Sequence, residues 1–172
     1  MGNGGFGSAI LKPEHLWQLF RLIGASALAY GSAALIGLPE LYWSLITAIV
    51  VTQPEFNKTL TASLDRIVGT LIGAAVGFLV LEASVRGAPQ APLFAAALAA
   101  LLLLTAIKPN LRMSSVTLIV VALVPSASSE PFVRPFDRVV EILIGAIASL
   151  VVSAAFNPPS LWRRKGDGEA GQ

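Results

Sequence analysis

The sequence predicts an all-α integral membrane protein whose six transmembrane helices form a 3+3 inverted repeat. Three observations carry that expectation. Hydrophobic residues make up 55% of the 172 residues and charged residues only 13%, against about a quarter charged in soluble domains, and the mean hydropathy is +0.73. The apolar residues gather into six runs separated by prolines. The string Asp65-Arg66-Ile67-Val68-Gly69-Thr70-Leu71-Ile72-Gly73-Ala74 returns as Asp137-Arg138-Val139-Val140-Glu141-Ile142-Leu143-Ile144-Gly145-Ala146, identical at seven of ten positions at an offset of 72.

Residues 1–12 are glycine-rich and lack a basic segment followed by a cleavable apolar core. They read as a flexible leader and not as a signal peptide. The six apolar runs fall at 15–36, 38–53, 64–81, 91–107, 113–124 and 136–156. At a rise of about 1.5 Å per residue, the first, third and sixth reach or approach the roughly 30 Å hydrocarbon core, whereas the second, fourth and fifth run short. Pro39, Pro54, Pro89 with Pro92, Pro109, Pro125, Pro131 with Pro135, and Pro158-Pro159 punctuate the breaks. Residues 13–158 are thus the transmembrane module, with repeat halves at about 15–82 and 91–156, and 159–172 a cytoplasmic polar tail. With the N-terminus inside, Lys12, Arg21, Lys58, Arg66, Lys108, Arg112, Arg163, Arg164 and Lys165 share one side, and Arg86, Arg134 and Arg138 lie opposite. This asymmetry puts both termini in the cytoplasm.

Several classes of chemistry are excluded. A formal charge of +2 with basic residues scattered between apolar runs gives no nucleic-acid-binding face. The absence of cysteine rules out disulfides, thiol catalysis and cysteine-ligated metal. His15 stands alone, without the second histidine or carboxylate cluster a metal needs, and reads as a surface residue. No nucleotide loop or catalytic constellation occurs, so neither a cofactor nor enzymatic activity is expected.

An odd number of crossings per half turns the second half upside down. Asp65-Arg66 then lies at the cytoplasmic end of span three and Asp137-Arg138 at the outer end of span six, a symmetry that transporters use to face both sides. Spans two and five are both short and occupy corresponding positions, which marks a substrate site at the repeat interface. They carry Ser44, Thr47, Thr52 and Gln53 in one and Ser114, Ser115 and Thr117 in the other. Such hydroxyls either bond back to their own helix or line a pathway.

Gly69, Gly73 and Gly77 share one helical face and permit close helix packing, as does Gly145 in the second copy. Looser small-residue spacing at Gly24, Ala27, Gly31 and Ala34 makes span one a partner for span three or an oligomer contact. Arg66 and Arg138, near span ends, either snorkel to headgroups or line a hydrated vestibule open to anions. Their neighbours Asp65 and Asp137 point about 100° away around the helix and do not neutralise them simply. Glu141 lies one turn from Arg138. It forms an exposed pair worth a few tenths of a kcal/mol, or in a narrow cavity carries the proton of an antiport cycle that releases Arg138. Trp17, Tyr30, Tyr42, Trp43 and Trp162 fit an interfacial belt, and Arg21 is placed to snorkel.

The stretch Tyr42-Trp43-Ser44-Leu45-Ile46-Thr47-Ala48-Ile49-Val50-Val51-Thr52-Gln53-Pro54, followed by Thr59-Leu60-Thr61-Ala62-Ser63-Leu64-Asp65-Arg66-Ile67-Val68-Gly69-Thr70-Leu71-Ile72-Gly73-Ala74, resembles the fusaric acid resistance and aromatic acid exporter superfamily. The plant aluminium-activated malate transporters look like distant relatives by the same elements. The resemblance spans about residues 20–156 and is most specific over 42–77. It implies a six-helix module in the bacterial inner membrane that handles organic anions. Trp43, Arg66, Gly69, Thr70 and Gly73 match the pattern directly, and Arg138 only as the second-half counterpart. Members of this type carry two membrane modules, so a homodimer is expected here, with pairing to another chain as the alternative.

Three functions follow from these readings: an exporter of small, aromatic carboxylate anions driven by proton entry, a passive organic-anion channel, and a non-transporting membrane scaffold. The residues assigned to anion binding are Arg66, Arg138, Trp43, Thr47 and Ser115, with Glu141 as proton carrier.

Overall fold

A computed structural model of the chain describes residues 13–124 and 133–156. The leader at 1–12 and the tail at 159–172, with Trp162, Arg163, Arg164 and Lys165, lie outside the described residues. Among the described residues every regular element is helical: α1 (Pro13–Ile36), α2 (Tyr42–Val51), α3 (Phe56–Val85), α4 (Gln90–Ile107), a 3-10 turn (Pro109–Leu111), α5 (Arg112–Leu123) and α6 (Val133–Ala155). Four of them, α1, α3, α4 and α6, are long and apolar enough to cross a membrane. The span expected to be short at 91–107 therefore has sufficient length. The helices α2 and α5, of 10 and 12 residues, are only about 15 and 18 Å long.

Helix α3 begins eight residues before the apolar run that announces it, because its first turns are polar on the inside. Thr59 and Ser63 are fully buried there, while Leu60 and Leu64 face outward. Two of the long helices end alike. Gly37 (φ 75°) closes α1 with bonds from Gly37 N to Ala34 O and Leu38 N to Ala33 O, and Gly87 (φ 93°) closes α3 with bonds to Ser84 O and, from Ala88 N, to Ala83 O. Both are left-handed caps that need glycine, with Pro39 and Pro89 two residues on.

The packing crosses between the halves. Helix α3 lies most extensively against α5, and α6 packs against α1, α2 and α3, while α4 sits at the periphery. Two small apolar clusters result. One joins Ala25, Ala29, Ala48, Ala148 and Val152 from α1, α2 and α6. The other joins Val80, Leu101, Leu118 and Ala122 from α3, α4 and α5. Large apolar side chains point out instead, Leu35 at 90% and Ile107 at 77% exposure among them, as expected where lipid and not water is the solvent. The buried interior holds Ser44, Thr47, Thr59, Ser63, Ser114, Ser149 and Ser153. The chain is a multi-pass membrane protein with a polar inside.

Candidate functional site

Two polar faces make that interior. On α3, Thr59, Ser63, Arg66 and Thr70 recur every three or four residues and are all buried. On α6, Arg138, Glu141, Gly145, Ser149 and Ser153 do the same. The faces meet where Ser153 Oγ approaches Thr59 Oγ1 at 3.5 Å. A step further in, Thr52 Oγ1 and Ser149 Oγ lie 3.0 Å apart, and both bond the Ala48 carbonyl.

From the level of Thr59 and Ser153 the two helices run in opposite chain directions. Arg66 is seven residues along α3 and Arg138 fifteen residues back along α6, which is about 10 and 22 Å of rise and leaves the arginines about 12 Å apart along the bundle. Both side chains are buried. Arg66 is the eleventh residue of α3, and the two side chains are 6% and 4% exposed, which corrects the expectation that they snorkel or line an open vestibule. Hydropathy misplaced Arg66 because it counts the polar inner face of α3 as lying outside the span.

Arg138 is the centre of a closed cluster. Its Nη1 donates to Glu141 Oε2 at 2.8 Å and its Nη2 pairs with Glu40 Oε2. The guanidinium lies over the Trp43 ring, 5.0 Å from its centroid, within cation–π reach. Tyr42 OH and Trp43 Nε1 (3.1 Å) donate to the same Glu40 oxygen. The Arg138–Glu141 pair is therefore buried, not the solvated pair that helix spacing allowed, and Glu141 Oε1 is left without a partner. Burial pushes the Glu40 carboxyl up, but the bonds from Tyr42, Arg138 and Trp43 outweigh it and hold the group below the ordinary carboxylate value.

Arg66 has the opposite surroundings. Its Nη1 meets Met113 Sδ at 2.7 Å, its Nε has no partner, and no carboxylate lies within ion-pair distance among the described residues. Ser63 on α3's inner face, Thr70 one turn on, and Ser115 on α5 are likewise buried with unpartnered hydroxyls. Asp65 turns away to a surface cleft of about 380 Å³ shared with Gln53, Asn57, Lys58, Thr61 and Ala62.

The remaining sites sort by contact. Ser44 and Ser114 bond back to Leu41 O and Leu111 O, both at 2.7 Å, whereas Thr47 Oγ1 has no partner. The glycines of α3 pack on α5 and not on α1. A Cβ at Gly69 would lie 2.8 Å from Met113 Cβ, one at Gly77 2.8 Å from Val121 Cγ1, and one at Gly73 would strike the Ser114 carbonyl. Gly145 stands in the same relation to the Ser44 carbonyl of α2. Gly24 merely touches Val152, and Gly31 has nothing within 4 Å. Arg21, expected to snorkel, is fully buried and donates to Pro54 O, while Gln18 Nε2 reaches Thr52 O at 3.3 Å. Both close the carbonyl end of α2, where a cation is favoured.

Glu40 and Met113 were not singled out by the sequence reading, which took Tyr42 only as an interfacial aromatic, although a second repeat marks the first two. Pro39, Leu41, Ser44, Thr47, Ile49, Val50 and Val51 recur at an offset of 70 as Pro109, Leu111, Ser114, Thr117, Ile119, Val120 and Val121. In that register Glu40 answers to Asn110 and Trp43 to Met113, just as Glu141 answers to Gly69. One pole of the seam therefore holds two carboxylates and an indole where the other has an amide, a thioether and a hydrogen. Both short helices also start beside an arginine, and neither has a side-chain cap on its first turn. Among the described residues no group of three or more metal-ligating side chains occurs.

Comparison with known proteins agrees with this architecture. Residues 7–152 match the family described as fusaric acid resistance protein-like. The inner membrane protein YccS of Escherichia coli (strain K12) is 40% identical over 52 residues, covering 30% of this chain and 7% of that protein. A UPF0421 protein of Staphylococcus epidermidis is 28% identical over 153 residues, covering 83% of this chain and 45% of its own. The chain spans less than half the length of these curated relatives. With the family match extending over most of the chain, the protein belongs to the fusaric acid resistance protein-like family.

Proposed function

We propose that the chain is a module of a bacterial inner-membrane transporter that exports small organic anions, aromatic carboxylates in particular, through the polar seam between its halves. The observation that carries this reading is the buried guanidinium of Arg66, which has no carboxylate beside it among the described residues. An uncompensated buried charge costs several kcal/mol. A visiting anion removes that cost, and Ser63, Thr70 and Ser115 add unpartnered hydroxyls nearby. The positive end of α5, which starts at Arg112 beside Arg66, favours negative charge at the same place. Thr47 contributes a further unpartnered hydroxyl beside Gly145.

The inverted repeat is part of this reading and draws support from the matched contacts of Gly73 on α5 and Gly145 on α2. Glu141 is its proton carrier: protonation would release its half of Arg138 for the passing anion. A second copy of the chain would cover the outward-facing α4 and complete a dimer, which cross-linking in native membranes detects.

Reconstitution into liposomes with a panel of aromatic and aliphatic carboxylates, with and without a pH gradient, tests the proposal. Wild-type protein should carry aromatic carboxylates, Arg66→Gln should lose about tenfold or more in flux, and Glu141→Gln should lose the response to the gradient. Undiminished flux in Arg66→Gln sinks the assignment of Arg66, and unchanged pH dependence in Glu141→Gln removes Glu141. Flux that follows voltage alone makes the protein a channel, and no flux of any anion makes it a scaffold.

A further inference from the structure

Glu40 receives more donors on one atom than any other carboxylate among the described residues. Arg138 Nη2, Tyr42 OH and Trp43 Nε1 all converge on its Oε2. A guanidinium, a phenol and an indole N–H aimed at one oxygen are what a receptor for a free carboxylate is made of. Here the occupant is part of the chain.

We propose that Arg138, Tyr42 and Trp43 form a carboxylate receptor that Glu40 occupies as a tethered internal ligand, and that an incoming carboxylate binds by taking its place. Four features support the exchange. First, Glu40 lies in the connection between α1 and α2 and not within a helix, so its side chain can leave by rotation without breaking a helical ladder. Second, Arg138 does not depend on Glu40 for its position. Its Nη1 stays bonded to Glu141, which is fully buried, so the guanidinium remains aimed, and still neutralised, when Nη2 is vacated. Third, the receptor has a way in. Tyr42 is 49% exposed and Trp43 partly so, although the oxygen they hold is buried.

The fourth is the opposite pole of the molecule. The repeat that aligns Glu40 with Asn110 and Trp43 with Met113 builds the same helix start without an acid, and there Arg66 is left with an unpartnered Nε. The carboxylate at position 40 is thus not required by the local fold of the unit. It is an addition to one of two related sites, and it fills the place an anion would take. The two poles consequently differ in kind: Arg66, though buried, has no carboxylate for an anion to displace among the described residues, whereas Arg138 admits one only by displacing a competitor held at very high local concentration.

This inference rests on the organic-anion reading for its ligand class, and the test separates the two. The full chain, with Trp17→Phe and Trp162→Phe so that Trp43 is the sole indole, is placed in lipid nanodiscs and titrated with sodium benzoate at constant ionic strength while Trp43 emission is followed. Glu40→Gln should bind benzoate about tenfold or more tightly than the parent, because the charged competitor is gone. Glu40→Asp, which keeps the charge but withdraws it by one methylene, should fall between them at about threefold, and Tyr42→Phe in the Glu40→Gln background should weaken binding again.

Equal or weaker affinity in both Glu40 variants overturns the proposal, leaving Glu40 a structural clamp. Failure of Glu40→Gln to fold, read by helical circular dichroism, leaves Glu40→Asp as the measurement, and failure of both has the same meaning as no gain in affinity. Liposome flux on the same proteins keeps the readings apart. Tighter benzoate binding without flux preserves the receptor and removes transport, while flux with unchanged affinity preserves transport and removes the receptor.

Discussion

Among the described residues three arginines lie buried, and the surroundings of each differ in a way that residue spacing only half reveals. Arg21 is turned onto the carbonyl end of α2, Arg138 is held by two carboxylates, and Arg66 has only a thioether among the described residues. The duplicated string made Arg66, Arg138 and Glu141 legible in the sequence. Glu40 was not, because it lies outside the string at offset 72 and at the edge of the apolar run at 38–53, in a stretch that folds as a connection and not as helix. Its carboxyl, held below the ordinary value by Tyr42, Arg138 and Trp43 against the effect of burial, carries a defined pH signature. A group with a depressed folded pKa stabilises fully above its unfolded value of about 4.3 and loses that contribution as pH falls through the lower folded value. Thermal unfolding in detergent should therefore steepen below about pH 4.3, and Glu40→Gln should flatten that limb. At neutral pH the variant should lose about 1–3 kcal/mol, the cost of unmade bonds to a charged acceptor. An identical acid limb in the variant would assign the transition to other carboxylates.

At the scale of elements, the sequence located all six α-helices of the described residues, and five of them begin within four residues of their apolar runs. The exception, α3, shows why: hydropathy marks where a helix meets lipid, whereas Thr59 and Ser63 extend it with residues that meet protein. Small-residue spacing announced close packing but not the partner, since a glycine face records only that something approaches. Gly73 and Gly145 make the same approach in the two halves, each against a serine carbonyl and a threonine Cβ of a short helix. Gly73→Ala and Gly145→Ala should accordingly destabilise by similar amounts, about 1–3 kcal/mol each, because the obstructing atoms are backbone. Gly31→Ala, with nothing within 4 Å, should be neutral or gain up to about 1 kcal/mol of helix propensity. Unfolding titrations in mixed micelles compare the three, and an equal response at positions 31 and 73 would refute the packing argument.

At the scale of the whole molecule, helix directions and charge distribution bear on the same question. Contacts of Met113 with Gly69, Thr117 with Gly73 and Val121 with Gly77 make α5 parallel to α3, while Ser44 at Gly145 and Ala48 at Ser149 make α2 parallel to α6. Trp17 at Phe156 and Gly24 at Val152 set α1 antiparallel to α6. These are the directions that the proposed inverted halves require of helices alternating across a bilayer. The count of basic residues needs revision, because Arg21, Arg66 and Arg138 are buried inside helices and report nothing about loops. Removing them leaves seven basic residues on the assigned inner side and two opposite, so the bias for an inside N-terminus is kept. The absence of cysteine makes a direct test simple. Single substitutions Lys58→Cys in the first turn of α3, Arg86→Cys after its end and Lys108→Cys after α4 place one thiol at or next to each successive connection. In intact cells a membrane-impermeant maleimide should label only position 86, and positions 58 and 108 should react after permeabilisation. Labelling of 58 and 108 from outside, with 86 protected, would reverse the orientation but keep the inverted halves; reaction of all three from one side would mean that α3 and α4 do not cross, and the two-pole seam with them.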